Sequence, residues 1–290
     1  MARANECMVQ RVATHKKAKM TTGVVFFAFN NLQIDYVKIA EWNAKNVQKF
    51  LNLPVTLITN SSASLMHCFD QVIYVDLPTQ TNQRFFKDFK KTDEWHNYNR
   101  NDVFALSPYD VTILLDVDYV VASDQLLLLC EDPRDFVCHT TSTNLTDQMS
   151  DSTFGLYQMP MAWATVVKFT KSSSAGLIFD LIKMIKSNYP HYANLYGFSS
   201  QEYRNDYALS IALNIASGHH VSQIAPQFSI AWPLVNVSPE CNIKINDRGF
   251  EVEYHKQIDG NYKPFKLSTV DLDLHVIGKK HLETAIASAR

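Results

Sequence analysis

The stretch Ser107–Val121, SPYDVTILLDVDYVV, decides how this chain is read. Val111 to Leu115 is a short apolar run with the composition of a buried strand. It meets two carboxylates, Asp116 and Asp118, and then continues through Tyr119, Val120 and Val121 as if they carried no penalty. An unpaired charge at the end of a buried strand is expensive, so these acids need a partner. In open α/β sheets ligands sit outside the carboxyl ends of the strands. A divalent ion joining both acids to a diphosphate would balance the charge, because Mg²⁺ and Mn²⁺ take oxygen ligands shared between protein and phosphate. Both carboxylates are expected to reach one ion only if the chain turns at the strand end. D-x-D also arises by chance, and the chain carries a second copy, Asp271 and Asp273 in VDLDLHVIG.

Outward from this stretch, strand and helix patterns alternate. GVVFFAFN (Gly23–Asn30) reads as a strand, and Ile34, Val37, Ala40, Ala44, Val47 and Leu51 repeat at helical spacing after it. PVTLITN and QVIYVDLP read as two further strands. Thr79–Asn101 gives no strand signal and reads as an irregular or short-helical excursion, with RFFKDFKK (Arg84–Lys91) as an amphipathic helix. SDQLLLLCEDP predicts a short helix capped at Ser123 or Asp124. RDFVCHTT predicts a strand, Ser142–Pro160 a long loop, and WATVVKFTKS another strand. SAGLIFDLIKMIKSNYP predicts a helix stopping near Pro190, and SQEYRNDYALSIALNIASGHH one that ends at Gly218. FSIAWP, FEVEYH and VDLDLHVIG read as short strands and KKHLETAIASAR as a helix. The expected fold class is α/β, a mixed sheet flanked by helices. One domain over residues 21–290 is expected, preceded by a flexible basic leader at 1–20 within which Met20 could be the natural start.

Composition narrows the function classes. With 290 residues and 46% hydrophobic content the chain can bury a full core. Twenty-seven basic against 29 acidic residues give a net charge of -2, so no global field draws it to nucleic acid or membrane. Five scattered cysteines without a C-x-x-C pair argue against a disulfide framework or structural zinc and point to a reducing cytoplasm. No apolar run approaches the roughly 20 residues of a membrane helix, and the leader lacks the apolar middle of a signal peptide.

SPYDVTILLDVD resembles the SPYD-x-x-x-x-LDxD signature of GT-A fold glycosyltransferases, and LHVIGKKH (Leu274–His281) resembles the H-x-x-G-x-K element of glycogenin-like transferases. The resemblance implies a GT-A, Rossmann-like fold and a metal-dependent transferase using a nucleotide-diphosphate sugar, expected to be a UDP-sugar, with Mn²⁺ or Mg²⁺. It implies Asp116, Asp118 and His275 as metal ligands, Val117 beside the donor, and Gly278 with Lys280 or Lys279 at the phosphates. The usual continuation into Lys-Pro-Trp is replaced here by KKHL, which leaves open which lysine serves. The first strand's end would put Phe29, Asn30 and Tyr36 near the base; core packing for Phe29 and helix capping for Asn30 are the plainer readings. Arg84 or Arg100 would contact the donor. At the start of the helix in QEYRNDYALSIAL, Asp206, then Glu202, would face the donor sugar or act as acceptor base, against a plain helix-dipole role.

Two other readings compete, one an enzyme and one a binding protein. A haloacid-dehalogenase-like phosphatase also has a strand ending in D-x-D, with the first aspartate as nucleophile, but the downstream acidic pair it needs is missing from the sequence. A non-catalytic sugar-nucleotide-binding protein is the other. For the acceptor, the texture of NAKNVQKFLNLPVTLITN and YRNDYALSIAL resembles transferases of large tailed phages that glucosylate or arabinosylate hydroxymethylated cytosine. That implies double-stranded DNA as partner, DNA modification as role and the host cytoplasm as location; a cell-surface glycan is the alternative.

Overall fold

A computed structural model describes residues 20–61, 67–76, 82–86, 91–145, 153–198, 202–246, 249–269 and 271–289. The leader at 1–19, Gln201 and the side chain of Arg84 lie outside the described residues. The chain begins with β1 (Thr22–Phe27), α1 (Tyr36–Leu51), β2 (Val55–Thr59) and β3 (Gln71–Tyr74). Asp35 caps α1 by accepting from the Lys38 amide, and Asn52 ends it in the left-handed region at φ 51°. Next come β4 (Asn82–Phe86), β5 (Lys91–Trp95), a 3-10 turn (Asn97–Asp102), α2 (Val103–Leu106), β6 (Val111–Leu115), β7 (Tyr119–Val120) and α3 (Leu127–Glu131). The middle of the chain holds β8 (Phe136–His139), β9 (Ser142–Asn144), β10 (Thr153–Phe154), β11 (Met159–Pro160), β12 (Trp163–Thr170), α4 (Ser173–Ser187), α5 (Tyr189–Leu195), α6 (Asn205–Ala216) and α7 (Val221–Phe228). The last part supplies β13 (Leu234–Val237), β14 (Asn242–Asn246), β15 (Gly249–Ile258), β16 (Asn261–Thr269), β17 (Leu274–Val276) and α8 (Lys279–Ser288).

The main sheet runs in the order β3-β2-β1-β6-β12-β8. Its first four strands are parallel, and β12 enters antiparallel between β6 and β8. Both faces are covered, as a parallel sheet requires. Alternation along the strands divides the core: Val24, Phe26, Ile113 and Leu115 pack with α1 and α8, while Val25, Phe27, Leu114 and Val167 pack with α4 and α6. A second sheet, β7-β17-β13-β9, leans on the carboxyl end of the first. It joins β7, directly after the acids, to β17 from the far end of the chain.

Several expectations are corrected. β4 (Asn82–Phe86) and β5 (Lys91–Trp95) pair antiparallel, so Arg84–Phe86 and Lys91 of RFFKDFKK lie on strands and not in an amphipathic helix, and residues 87–90 lie outside the described residues. α3 begins only at Leu127: Ser123 Oγ donates to Asp273 and accepts from Gln125 N at 3.2 Å, and the residues before the helix form a turn closed by Leu127 N to Asp124 O at 2.9 Å. The 142–160 segment contains β9, β10 and β11 in addition to loop. FSIAWP is no strand: it spans the end of α7, Ser229 makes one isolated bridge to Cys138, and the ladder starts only after Pro233, which has no N–H to give.

Candidate functional site

The strand order reverses between β1 and β6: the chain runs outward from β1 to β2 and β3, then returns to lay β6 on the other side of β1. A cleft of about 790 Å³, solvent-open space included, lies there, which is where the topology of open α/β sheets puts ligands. Phe27, Phe29 and Tyr36 line one wall, Trp95, His96 and Arg100 another, and Asp116, Val117, Asp118, Asp206, Arg204 and Lys279 complete it.

The expected turn is present. Asp116 N donates to Thr165 O at 2.8 Å, and Tyr119 N donates back to Asp116 O at 3.1 Å, which closes the chain around Val117 and Asp118. Asn43, fully buried on α1, fastens this turn: its amide nitrogen donates to the carbonyls of Val117 and Tyr119, and its oxygen accepts from Val121 N at 3.1 Å. The second sheet brings up the third ligand. His275 lies opposite Tyr119 in the β7–β17 ladder, and Val276 N donates to Asp118 O at 2.9 Å. One ligand atom each from Asp116, Asp118 and His275 falls within 4.8 Å of the others.

The imidazole is oriented by a residue that sequence reading missed. Asn236, register partner of His275 on β13, accepts a hydrogen bond from Nδ1 at 2.7 Å. An amide oxygen can only accept, so Nδ1 carries a proton and Nε2 is the nitrogen turned toward Asp118 Oδ2, 3.6 Å away. A ligating histidine fixed through its other nitrogen is the arrangement metal sites use.

The acids are surrounded by positive charge. Arg100, only 3% exposed, pairs with Asp116 and donates to Ala164 O at 2.9 Å. Burial lowers its pKa to about 10, against the pull of Asp118 and Asp206, so it stays cationic at neutral pH. Asp118 is 2% exposed, with Lys279 Nζ 2.5 Å from its Oδ2. Burial pushes its carboxyl up, but the Lys279 ammonium and His275 outweigh burial and hold it well below the usual carboxylate range. Asp118 Oδ2 has no hydrogen bond of good geometry despite its burial. Two carboxylates and an imidazole that meet around a buried oxygen so placed fit a divalent cation.

The other anticipated residues divide. Phe29, Tyr36, Arg100, Val117 and Lys279 face the cleft. Asn30 instead caps α1, accepting from Val37 N at 2.9 Å and donating to Asp35 at 2.8 Å. Lys280 turns away to Gln33 O at 3.1 Å and Glu283 at 2.8 Å, so Lys279 is the lysine facing the acids. Gly278 starts α8, and a Cβ there would come within 3.2 Å of Pro239 Cα, so this approach needs glycine or a shift of backbone. Asp206 sits in the first turn of α6 with Oδ1 accepting from Ala164 N at 2.9 Å and Oδ2 3.1 Å from Arg204. Glu202 precedes α6, is exposed and does not line the cleft. Asn43, Asn236, Trp95 and His96 were not anticipated. Asn43 alone left a signal, a polar residue within the apolar stripe of α1 beside Ala40, Ala44 and Val47.

No protein-family model and no curated protein sequence matches the chain. Solved structures do. The glycosyltransferase GlyE of Streptococcus pneumoniae is similar at 13% identity over 73% of this chain and 45% of its own, with a TM-score of 0.42. The galactosyltransferase LgtC, solved with donor and acceptor sugar analogs, is similar at 14% identity over 66% of this chain and 70% of its own, TM-score 0.40. The 4-diphosphocytidyl-2C-methyl-D-erythritol synthase of Anaerococcus prevotii is similar at 13% identity over 66% of this chain and 83% of its own, TM-score 0.34. The chain thus spans less than half the length of GlyE. None of the three superposes closely enough to carry the reading of the site, which rests on its own geometry. No helix among the described residues is long and apolar enough to cross a membrane.

Proposed function

We propose that this chain is a metal-dependent glycosyltransferase that moves a sugar from a nucleoside-diphosphate sugar to an acceptor hydroxyl. The observation that carries the proposal is the meeting of Asp116, Asp118 and His275 within 4.8 Å, from distant segments, in the cleft at the strand-order reversal. A divalent ion held by these three would supply charge to offset the diphosphate as the glycosidic bond breaks.

The surrounding residues fit that chemistry. Phe29 and Tyr36 offer an aromatic wall to the nucleotide base. Lys279 adds a cation where negative charge grows on the leaving diphosphate. Arg100, held between Asp116 and Ala164 O, orients the first acid. Asp206, held by Ala164 N and Arg204, is braced to contact a donor-sugar hydroxyl. Bracing of both oxygens favours this role over proton abstraction. The phosphatase reading loses support from the same contacts, because a nucleophilic Asp116 would have to attack from within its ion pair with Arg100.

For the acceptor, the sequence resemblance supports hydroxymethylated cytosine in double-stranded DNA, with glucose or arabinose as the sugar and UDP as its carrier. The test is mass spectrometry of nucleosides from hydroxymethylated DNA incubated with the protein, Mn²⁺ and a panel of nucleotide sugars, with donor hydrolysis followed in parallel. A new glycosylated nucleoside confirms donor and acceptor together. Metal-dependent donor cleavage without it keeps the transferase and turns the acceptor toward a glycan. No cleavage of any donor removes the proposal.

A further inference from the structure

We propose that Lys279 competes with the cation for Asp118, and thereby makes cation and diphosphate bind as a coupled pair. This rests on the reading of the site given above and concerns a property which that reading leaves open.

Lys279 Nζ lies 2.5 Å from Asp118 Oδ2, and His275 Nε2 lies 3.6 Å from the same oxygen. A divalent ion bound between Asp118 and His275 would share that oxygen at contact distance, and two cations so close repel strongly in a buried setting. The lysine must therefore leave when the ion arrives. Arg100 is placed differently: it meets Asp116 while also bonded to Ala164 O, and it is buried to 3% exposure. It has an anchor apart from the acid. The Lys279 side chain is 24% exposed and faces the cleft, so it has room to move.

Displacement leaves the ammonium in a poor place. Lys279 is the first residue of α8, at the positive end of the helix dipole, where a cation is disfavoured unless an anion lies beside it. Asp118 supplies that anion in the structure, and a diphosphate arriving with the ion would supply it afterwards. An ion binding alone must displace the lysine without compensation. An ion accompanied by a diphosphate returns a partner to it. Each therefore strengthens the other beyond their direct contact, and by linkage the effect is reciprocal.

The test is Mn²⁺ binding to the full chain, followed by electron paramagnetic resonance or calorimetry, alone and with inorganic pyrophosphate or UDP as the probe anion. Lys279→Met should bind Mn²⁺ alone about tenfold more tightly than the parent, and the strengthening of Mn²⁺ binding by pyrophosphate should shrink about tenfold, within the usual range of coupling. A lysine that merely contacts phosphate predicts unchanged Mn²⁺ binding in the absence of anion, and that result overturns the proposal while leaving the metal site intact. If the parent binds no Mn²⁺, the metal site falls and the proposal with it. Thermal unfolding gives a second readout: the variant should melt below the parent in chelator and regain the deficit in Mn²⁺. An equal deficit in both conditions counts against competition. Lys279→Gln offers the same comparisons should the methionine variant not fold.

Discussion

The chain contains two D-x-D stretches, and they do opposite work. Asp118 and Asp273 are buried almost equally, at 2% and 3% exposure. Beside Asp118 stand the Lys279 ammonium at 2.5 Å and the His275 ring at 3.6 Å. Around Asp273 stand neutral donors: Ala122 N at 2.8 Å, the Ser123 hydroxyl at 2.9 Å and the Tyr119 hydroxyl at 3.2 Å. The first acid is set among charges that a metal and phosphate can exchange; the second ties down the segment leaving the site. Neither spelling nor burial separates a ligand from a buttress. The charge of the neighbours does. The two are linked nonetheless, because the residues Asp273 holds, from Tyr119 to Ser123, include the strand that pairs with His275.

The sharpest way to break this contrast is to remove each acid in turn. Asp118→Ala should lower metal-dependent donor cleavage by about a thousandfold or more, the size of losing a group that acts on developing charge. Asp273→Ala should leave cleavage per folded molecule within a few fold. Equal losses of turnover would erase the distinction. Stability separates the two acids of the second copy: Asp273→Ala strands three donors and should cost about 3 kcal/mol in denaturant unfolding, at about 1 kcal/mol each, while exposed Asp271→Ala stays within about 0.5 kcal/mol. Next in size, Asn236→Leu frees the His275 ring and should weaken Mn²⁺ binding 10- to 100-fold, the usual effect of removing a histidine's second partner, with unfolding in chelator changed far less.

The smallest effect is one of sign. Asp118 is held below the usual 3.8 by Lys279 and His275 in spite of its burial, and burial raises Asp273 above it, only partly offset by its three donors. The stabilisation from Asp118 is therefore complete above pH 3.8 and lost as pH falls toward its depressed value. For Asp273 the folded chain holds the proton more tightly than the unfolded one, so its contribution is complete below 3.8 and declines as pH rises through its elevated value. In urea unfolding across a pH series in chelator, Asp118→Asn should flatten the acid side of the stability profile and Asp273→Asn the side above pH 3.8. Flattening on the same side would contradict the assignment.

Much of this was legible before the fold was known. The apolar run ending in acids is a local signal of strand composition, and the resemblance of LHVIGKKH to an H-x-x-G-x-K element named His275 and a lysine as its companions; the structure brings Asp116, Asp118, His275 and Lys279 together. The choice of Lys279 over Lys280 was not legible, since it depends on the direction in which each side chain leaves the first turn of α8. Asn236 was hidden for another reason: a three-residue strand such as β17 has too little sequence to declare its neighbour, and that neighbour sets the histidine. The strands β4 and β5 were misread because the aromatic-basic mixture of RFFKDFKK fits either period. Asp206 read correctly as a first-turn acid, but its anchoring by Ala164 N comes from β12, which sequence spacing does not reveal.

The pairing of β7 with β17 also has a consequence for biosynthesis. As the nascent polypeptide leaves the ribosome, β1, α1, β2 and β6 can associate early, while the imidazole that completes the cation seat emerges some 150 residues after the acids. Until then Asp118 lacks both Lys279 and His275, its two nearest compensating groups. Closure of the second sheet, late in translation, is the event that brings both groups to this acid.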